Sequence, residues 1–520
     1  MKFTGKSPEH HDFSFESLVE SSDEVTYNVL DTTLRDGEQA PGVSLSPDEK
    51  AEIARKLDET GVDIIEAGSA CTGEGERRAI RRVTELNLDA RVTSFARGIK
   101  SDIDLALDAG VDGVELVVPA SDRHIEKKIR SSREETVAKT EELVDYAKDH
   151  GLWVEVIGED GSRSDFSFLE ELMGAAYSAG ADQICFADTV GHAGPEETYR
   201  AVSRLAEIGP TSTHTHDDLG LAMTNALASL AAGADTVHAT VNGIGERAGN
   251  VALEEMAITL DHVYDTQVVE TEMLYELGRT VSQATGIGLA PNKAVLGENA
   301  FTHESGIHTD GTLKDEAMYE PYPPEKVGRE RRMVAGKHTG RAGARAALEE
   351  HGWNVTDEEL DEIVSQVKEL GDRGKRVTDV DLLQIAEEVT AEKHERRVEL
   401  LDITAASGGG TPTASVRLSV NGEELVASGT GTGPVDAAVS AARQALGEGT
   451  ATLESYHVDA ITGGTDAVVT VEVEMSRGDQ SVTVAKSDTD ITVASVEAMV
   501  RALDRLLATA DDPTLTVADD

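Results

Sequence analysis

Cysteine is nearly absent: Cys71 and Cys185 are the only two in 520 residues. Two are too few for a disulfide framework, so a reducing cytoplasm is expected. Aromatic residues make up 4% of the chain. Basic residues are scarce, with 47 Lys+Arg against 98 Asp+Glu, a formal net charge of −51. Such a surface lacks the basic patch that nucleic acid or an anionic membrane requires. No apolar run approaches the roughly 18 residues of a membrane span. Residues 1–24 are polar, lack the apolar core of a signal peptide, and read as a flexible leader.

What is present argues for folding. Strong acidity with few aromatics can mean disorder, but 39% of residues are hydrophobic and fall in regular blocks. Arg outnumbers Lys 30 to 17, and the acids spread through the chain rather than forming a tail. A folded surface adapted to concentrated salt, a halophile's, accounts for both. On that reading the charge reports where the protein lives, not what it does.

From Tyr27 to about Gly245 a unit recurs: short apolar strand, polar turn, amphipathic helix. The strands read as 27–31, 62–68, 90–96, 113–119, 152–158, 183–188, 211–216 and 236–242. Eight units predict a (β/α)8 barrel over 25–310 rather than an open doubly wound sheet. No Gly-x-Gly-x-x-Gly follows the first strand, which weighs against a dinucleotide fold. Active sites of such barrels lie at the C-terminal strand ends. Those ends carry Asp31 with Arg35 and Asp36, Glu66, Ser94 with Arg97, Glu159 with Asp160, Asp188 with Thr189, His214 with His216, and Asn242.

His214-Thr215-His216-Asp217-Asp218 is the most informative cluster. Residues i and i+2 of a strand share a face, so both imidazoles enter the barrel mouth. Two imidazoles and a carboxylate, Asp36, suit a divalent metal such as Mn, Mg or Zn. Asp217 and Asp218 are placed to accept from the imidazoles. In the segment 30–42, Arg35 beside Asp36 sets a fork donor next to a metal ligand, which fits a substrate with a carboxylate and a neighbouring carbonyl.

Four separated motifs carry a resemblance: LRDGEQ (34–39) with Lys50, HTHDDLGLAMTNALA (214–228), NGIGERAGN (242–250) and NAFTHESGIHTDG (299–311). Together they resemble the acetyl-CoA-dependent Claisen-condensing family, which includes 2-isopropylmalate, citramalate and homocitrate synthases. The resemblance implies a metal-dependent (β/α)8 barrel with acetyl-CoA as co-substrate. It implies Asp36, His214 and His216 as metal ligands, with Asn250 completing or supporting the site. Arg35 would polarise the 2-oxo acid and pair with Glu159, and Thr189 would contact the acceptor carboxylate. His308 would abstract a proton, with His303 as its rival in the same segment. The same barrel with similar motifs also serves acyl-CoA lyases and carboxylase domains.

The loop EAGSACTGEGE (66–76) is more similar to the citramalate-forming branch than to isopropylmalate synthases. That favours pyruvate over 2-oxoisovalerate as acceptor, and Ile157 would line its pocket. Glu115 departs from the family, where histidine often stands. Past the barrel, residues 311–402 read as helical subdomains, in which Gly336-Lys337-His338-Thr339-Gly340-Arg341 would meet CoA phosphates or cap a helix. ITAASGGGTPTA (403–414) reads as a linker. Beyond it, 416–446 and 469–507 share a strand–turn–strand–loop–helix layout, so 403–520 is expected to form an α+β domain of two repeats packed together. It resembles the family's C-terminal regulatory domain, which implies a homodimer inhibited by isoleucine or leucine. The alternative is a dimerisation module without a ligand.

Overall fold

The computed structural model describes residues 15, 18 and 27–509, except 334–338, 373–378, 391–396, 447–450, 461–468 and 478–479. Apart from Phe15 and Leu18, the expected leader lies outside them, as do Gly336, Lys337 and His338; Leu18 is buried rather than free as a flexible leader would be. The chain divides into two units: Met1–Ala300 with Pro324–Glu330, and Phe301–Pro323 with Arg331–Asp520.

In the first unit the apolar blocks form eight parallel strands closed into a barrel: β1 (Asn28–Asp31), β2 (Ile64–Glu66), β3 (Arg91–Arg97), β4 (Gly113–Pro119), β5 (Trp153–Glu159), β6 (Gln183–Asp188), β7 (Thr211–Thr215) and β8 (Thr236–Ala239). β8 closes on β1, with Leu30 opposite His238. Local signals set the helices between them. In α1 (Pro47–Thr60), Ser46 and Glu49 form a capping box, Pro47 opens the first turn, and Gly61 ends it at φ 87°. The eighth strand is shorter than 236–242. It stops at Ala239, and Asn242 takes a left-handed φ of 65° in a tight turn. Its side chain donates to the Gly278 carbonyl, 2.9 Å away, so Asn242 serves the scaffold.

In the second unit, β9 (Thr302–His303) pairs with β10 (Arg332–Met333), and α2 (Gly306–Lys314) follows β9. Helices α3 (Arg341–Glu350), α4 (Asp357–Asp372) and α5 (Asp379–Thr390) enclose a core that includes Leu348, Ile363, Val367 and Leu382.

The C-terminal repeats are confirmed in kind and corrected in extent. Each half has three antiparallel strands and a helix: β11 (Val398–Ala406), β12 (Thr413–Val420), β13 (Glu423–Thr430) and α6 (Pro434–Leu446), then β14 (Thr452–Ala460), β15 (Val469–Arg477), β16 (Gln480–Asp488) and α7 (Ile491–Thr509). The run 403–414 is not a linker. Its first four residues belong to β11, which pairs with β12, and Gly408–Gly410 lie in the connection between them. β11 is an edge strand with mostly exposed side chains, so it lacks the alternation that marks a half-buried strand. α7 joins the halves: Val496, Val500 and Leu503 pack with β12 and α6, whereas Ala494, Ala498 and Leu506 pack on β15 and β16.

Candidate metal centre

The site begins where β1 ends. Buried Asp31 accepts from the Thr33 amide and hydroxyl, each at 2.9 Å, and the Val241 amide donates to that hydroxyl at 2.8 Å. Lys50, fully buried, donates to the carbonyls of Leu34 (2.8 Å) and Ala67 (3.3 Å). It thereby ties the loops after β1 and β2 together, and Arg35 and Asp36 are presented inward from the first of them.

Asp36, His214 and His216 converge, with one ligand atom of each within 4.8 Å of the others. The two Nε2 atoms are 3.3 Å apart, and Asp36 Oδ2 stands 3.7 and 4.0 Å from them. Tetrahedral bonds of about 2.1 Å would separate ligand atoms by about 3.4 Å. His216 Nδ1 lies 3.2 Å from the Gly249 carbonyl, which draws its proton there and turns the Nε2 lone pair inward. Burial, and then the neighbouring His216, hold His214 well below the usual imidazole range, so it is a neutral donor. Burial opposes ionisation of Asp36, but Arg35 and the two imidazoles hold its carboxyl below the usual carboxylate range.

Asn250 donates its amide to Asp36 Oδ1 at 3.0 Å, and its own carbonyl oxygen has no donor. That oxygen is free to face a cation. A Cβ added at Gly245 would collide with the Asn250 side chain and stand 2.9 Å from Asp36 Oδ1, so the cradle needs glycine. Buried oxygen and nitrogen donors, one orphaned carbonyl and fitting spacings all match a divalent ion.

Arg35 bonds Asp36 through Nη1 at 2.5 Å and Glu66 through Nε at 2.7 Å, with its guanidinium 5.3 Å from the centroid of the Phe95 ring. The glutamate holding Arg35 is therefore Glu66. Glu159, expected there, bonds Lys128 Nζ at 2.5 Å and lies 3.2 Å from His124 Nδ1. Both glutamates end barrel strands, and only the closed barrel shows that β2, next to β1, supplies the partner. Thr189 Oγ1 accepts from the Asp160 amide at 2.9 Å. Neither Asp217 nor Asp218 accepts from the imidazoles. Asp217 holds the Ala222 amide at 2.9 Å, and Asp218 is gripped twice by Arg247 at 2.8 Å. Arg247 also donates to the Thr189 carbonyl; its place in the GERAGN motif was the signal available in the sequence.

Ile157 packs with Val117, Cys185 and Ala187 as a small apolar wall. His308 belongs to the second unit. It is exposed on α2 and stacks on Tyr319 with ring centroids 4.3 Å apart. His303 is tied to Glu320 at 2.9 Å, which Arg331 also grips.

Comparison with known proteins gives three consecutive family matches: an HMGL-like family over residues 26–281, a homocitrate synthase post-HMGL domain-like family over 295–375, and a LeuA allosteric (dimerisation) domain over 376–507. A putative (R)-citramalate synthase of Methanothermobacter thermautotrophicus is 52% identical across 92% of this chain and 98% of its own. The (R)-citramalate synthase of Methanocaldococcus jannaschii is 47% identical across 92% and 99%. A probable 2-isopropylmalate synthase of Methanopyrus kandleri is 50% identical across 92% and 98%.

Proposed function

The chain belongs to the condensing-synthase family that contains (R)-citramalate synthase and 2-isopropylmalate synthase, and from that premise we propose that it joins acetyl-CoA to pyruvate, giving (R)-citramalate and CoA in isoleucine biosynthesis. The observation that carries this is near-full-length similarity to relatives named citramalate synthase.

The residues supply a coherent chemistry. Asp36, His214 and His216 would hold a divalent ion, with Asn250 Oδ1 free to complete its coordination. When bound, the ion supplies Lewis-acid stabilisation to the acceptor carbonyl oxygen. Arg35, fixed by Glu66, binds the acceptor and favours negative charge on that oxygen as the carbon–carbon bond forms. The Thr189 hydroxyl contacts the acceptor carboxylate while it accepts from the Asp160 amide. His308 takes a proton from the acetyl methyl, whose weak acidity demands a base beside it. The methyl carbon attacks the ketone, the resulting alkoxide takes up a proton, and water cleaves the thioester to free the thiol of CoA. Glu159, held by Lys128 and 3.2 Å from His124 Nδ1, acts at the same strand ends.

The second reading, condensation with 2-oxoisovalerate in leucine biosynthesis, draws on the Methanopyrus relative named for it. The two acceptors differ by two methylene units, each worth only about 1–3 kcal/mol in a hydrophobic pocket. The Ile157 wall suits a small alkyl group and favours pyruvate.

The match over 376–507 supports a homodimer with feedback control by isoleucine or leucine. A cavity of ≈ 520 Å³ in the repeats, lined by residues that include Asp436, Arg443, Leu453, Met475 and Met499, offers one charge of each sign and apolar walls. That fits a zwitterionic amino acid. No helix among the described residues is long and apolar enough to cross a membrane, which accords with a cytoplasmic enzyme, and the acidity accords with a salt-rich one.

The test supplies acetyl-CoA with either acceptor in molar KCl plus divalent metal, and follows free thiol. Higher kcat/KM with pyruvate is expected. Higher kcat/KM with 2-oxoisovalerate overturns the citramalate assignment.

A further inference from the structure

The barrel interior holds more negative groups than the proposed mechanism uses. Asp31, Glu66, Glu115 and Glu155 are each 0% exposed. Among the described residues, Arg35 is the one guanidinium or ammonium paired with any of the four. Glu115 and Glu155 occupy partnered positions on the parallel strands β4 and β5, so both side chains enter the same space. Glu155 Oε1 accepts from Ser212 Oγ at 2.5 Å and lies 3.2 Å from His238 Nε2. Glu66 Oε2 accepts from Arg35. Glu66 Oε1 and both oxygens of Glu115 have no donor. The hydroxyl of Thr93, on the strand between them, lies 3.3 Å from the Ile65 carbonyl and also within reach of Glu115; its one proton is too little to settle the charge of the pair. Two carboxylates closed off from water repel each other unless one carries a proton.

We propose that Glu115 is a neutral carboxylic acid and a positioning residue, whose proton bridges to Glu66 and so fixes the carboxylate that aims the Arg35 fork. Glu115 does not touch substrate in this arrangement; it acts through Glu66 on Arg35. The groups facing it are Glu66 on β2, Arg35 after β1, Glu155 on β5 and Cys185 on β6, with His238 on β8 against Glu155. Burial first, then the charges of Glu66 and Glu155, push its carboxyl well above the ordinary range. Burial also raises Glu66, opposed by Arg35. As pH rises, ionising Glu115 sets a second negative charge beside Glu66 and frees Glu66 from its donor. Acceptor binding then weakens on the alkaline side.

The inference rests on the proposed acceptor role of Arg35, and its test separates the two. Glu115→Gln keeps a donor toward Glu66, whereas Glu115→Leu removes it. The expected result is a KM for the 2-oxo acid within about twofold of wild type in E115Q, and raised on the order of tenfold in E115L with kcat less affected. The alkaline limb of kcat/KM should also recede in E115Q. Infrared difference spectra should show a buried protonated-carboxyl band at neutral pH that E115Q lacks. If E115L fails to fold, E115Q and the band decide. Equal damage in both variants, or a band unchanged in E115Q, overturns the proposal. So does a second equivalent of bound metal that Cys185→Ser abolishes, because a cation held by Glu155, Cys185 and His238 would then balance the charge in place of a proton. Failure of wild type to condense any 2-oxo acid refutes the function, while the infrared band still reports on Glu115.

Discussion

The barrel unit and the C-terminal repeats share one acidic composition but place charge differently. The barrel unit buries Asp31, Arg35, Asp36, Lys50, Glu66, Glu115, Glu155 and Glu254. Among the described residues of 398–509, no Asp, Glu, Lys or Arg is buried; the buried polar side chains there are Thr470, Thr492 and Ser495. Burying a charge costs several kcal/mol unless it is paired or neutralised. The repeats largely avoid that cost with a core of Ala, Val, Leu and Met, apart from Arg505 of α7, whose guanidinium partial burial pushes down to about 9. The barrel unit accepts it and pairs much of it side chain by side chain: Arg35 with Asp36 and Glu66, Lys50 with Glu38 and Glu76, and Glu254 with Lys293. Buried charge is thus concentrated in the barrel unit, which also holds the candidate metal cluster, and apolar burial prevails in the repeats.

The sharpest break of this contrast is His216→Ala. It should remove bound metal and lower turnover by at least about 10³-fold, while thermal unfolding of the repeats stays unchanged. Metal analysis and the thiol assay check both parts, and retained activity would sink the metal assignment.

Next is pH. Burial pushes the Asp31 carboxyl up to about 7, against the two bonds from Thr33. The unfolded chain releases that proton near pH 4. The stability contributed by this proton is therefore complete below about pH 4 and lost as pH rises toward about 7. The loss is roughly 2–4 kcal/mol. Asp31→Asn should flatten the slope of barrel unfolding against pH; an unaltered slope counts against it. The repeats, with no buried carboxylate, should show little such slope.

The smallest effect is expected from Leu418→Ala. Leu418 is fully buried among Val416, Val420 and the alanines of α6. The cost is about 2 kcal/mol for the repeats, at the low end because small neighbours can close the space. Metal content and unfolding of the barrel should not change.

The barrel was legible because each of its strands is an apolar block bounded by polar turns, and parallel strands buried on both faces keep that signature. Asp36, His214 and His216 were legible through i, i+2 spacing across the end of β7 and through the loop that follows β1. The edge strands β11 and β14 were not. Of its nine residues Val398 is buried, Leu400 and Ile403 are half-buried and the other six, Leu401 among them, are exposed, so β11 lacks the apolar–polar alternation of a half-buried strand. Asp217 and Asp218 were misjudged because adjacency in sequence says nothing of direction. Their carboxylates turn to Ala222 and Arg247.

The sequence by itself determined the strand count, the candidate metal cluster and the repeated C-terminal plan, since each follows from local pattern and spacing. Only the tertiary structure decided that Glu66 rather than Glu159 holds Arg35, that Asn250 reaches Asp36 across 214 residues, and that Glu115 and Glu155 meet inside the barrel. Those pairings depend on ring closure, which sets side chains from distant strands face to face at distances that no sequence interval encodes.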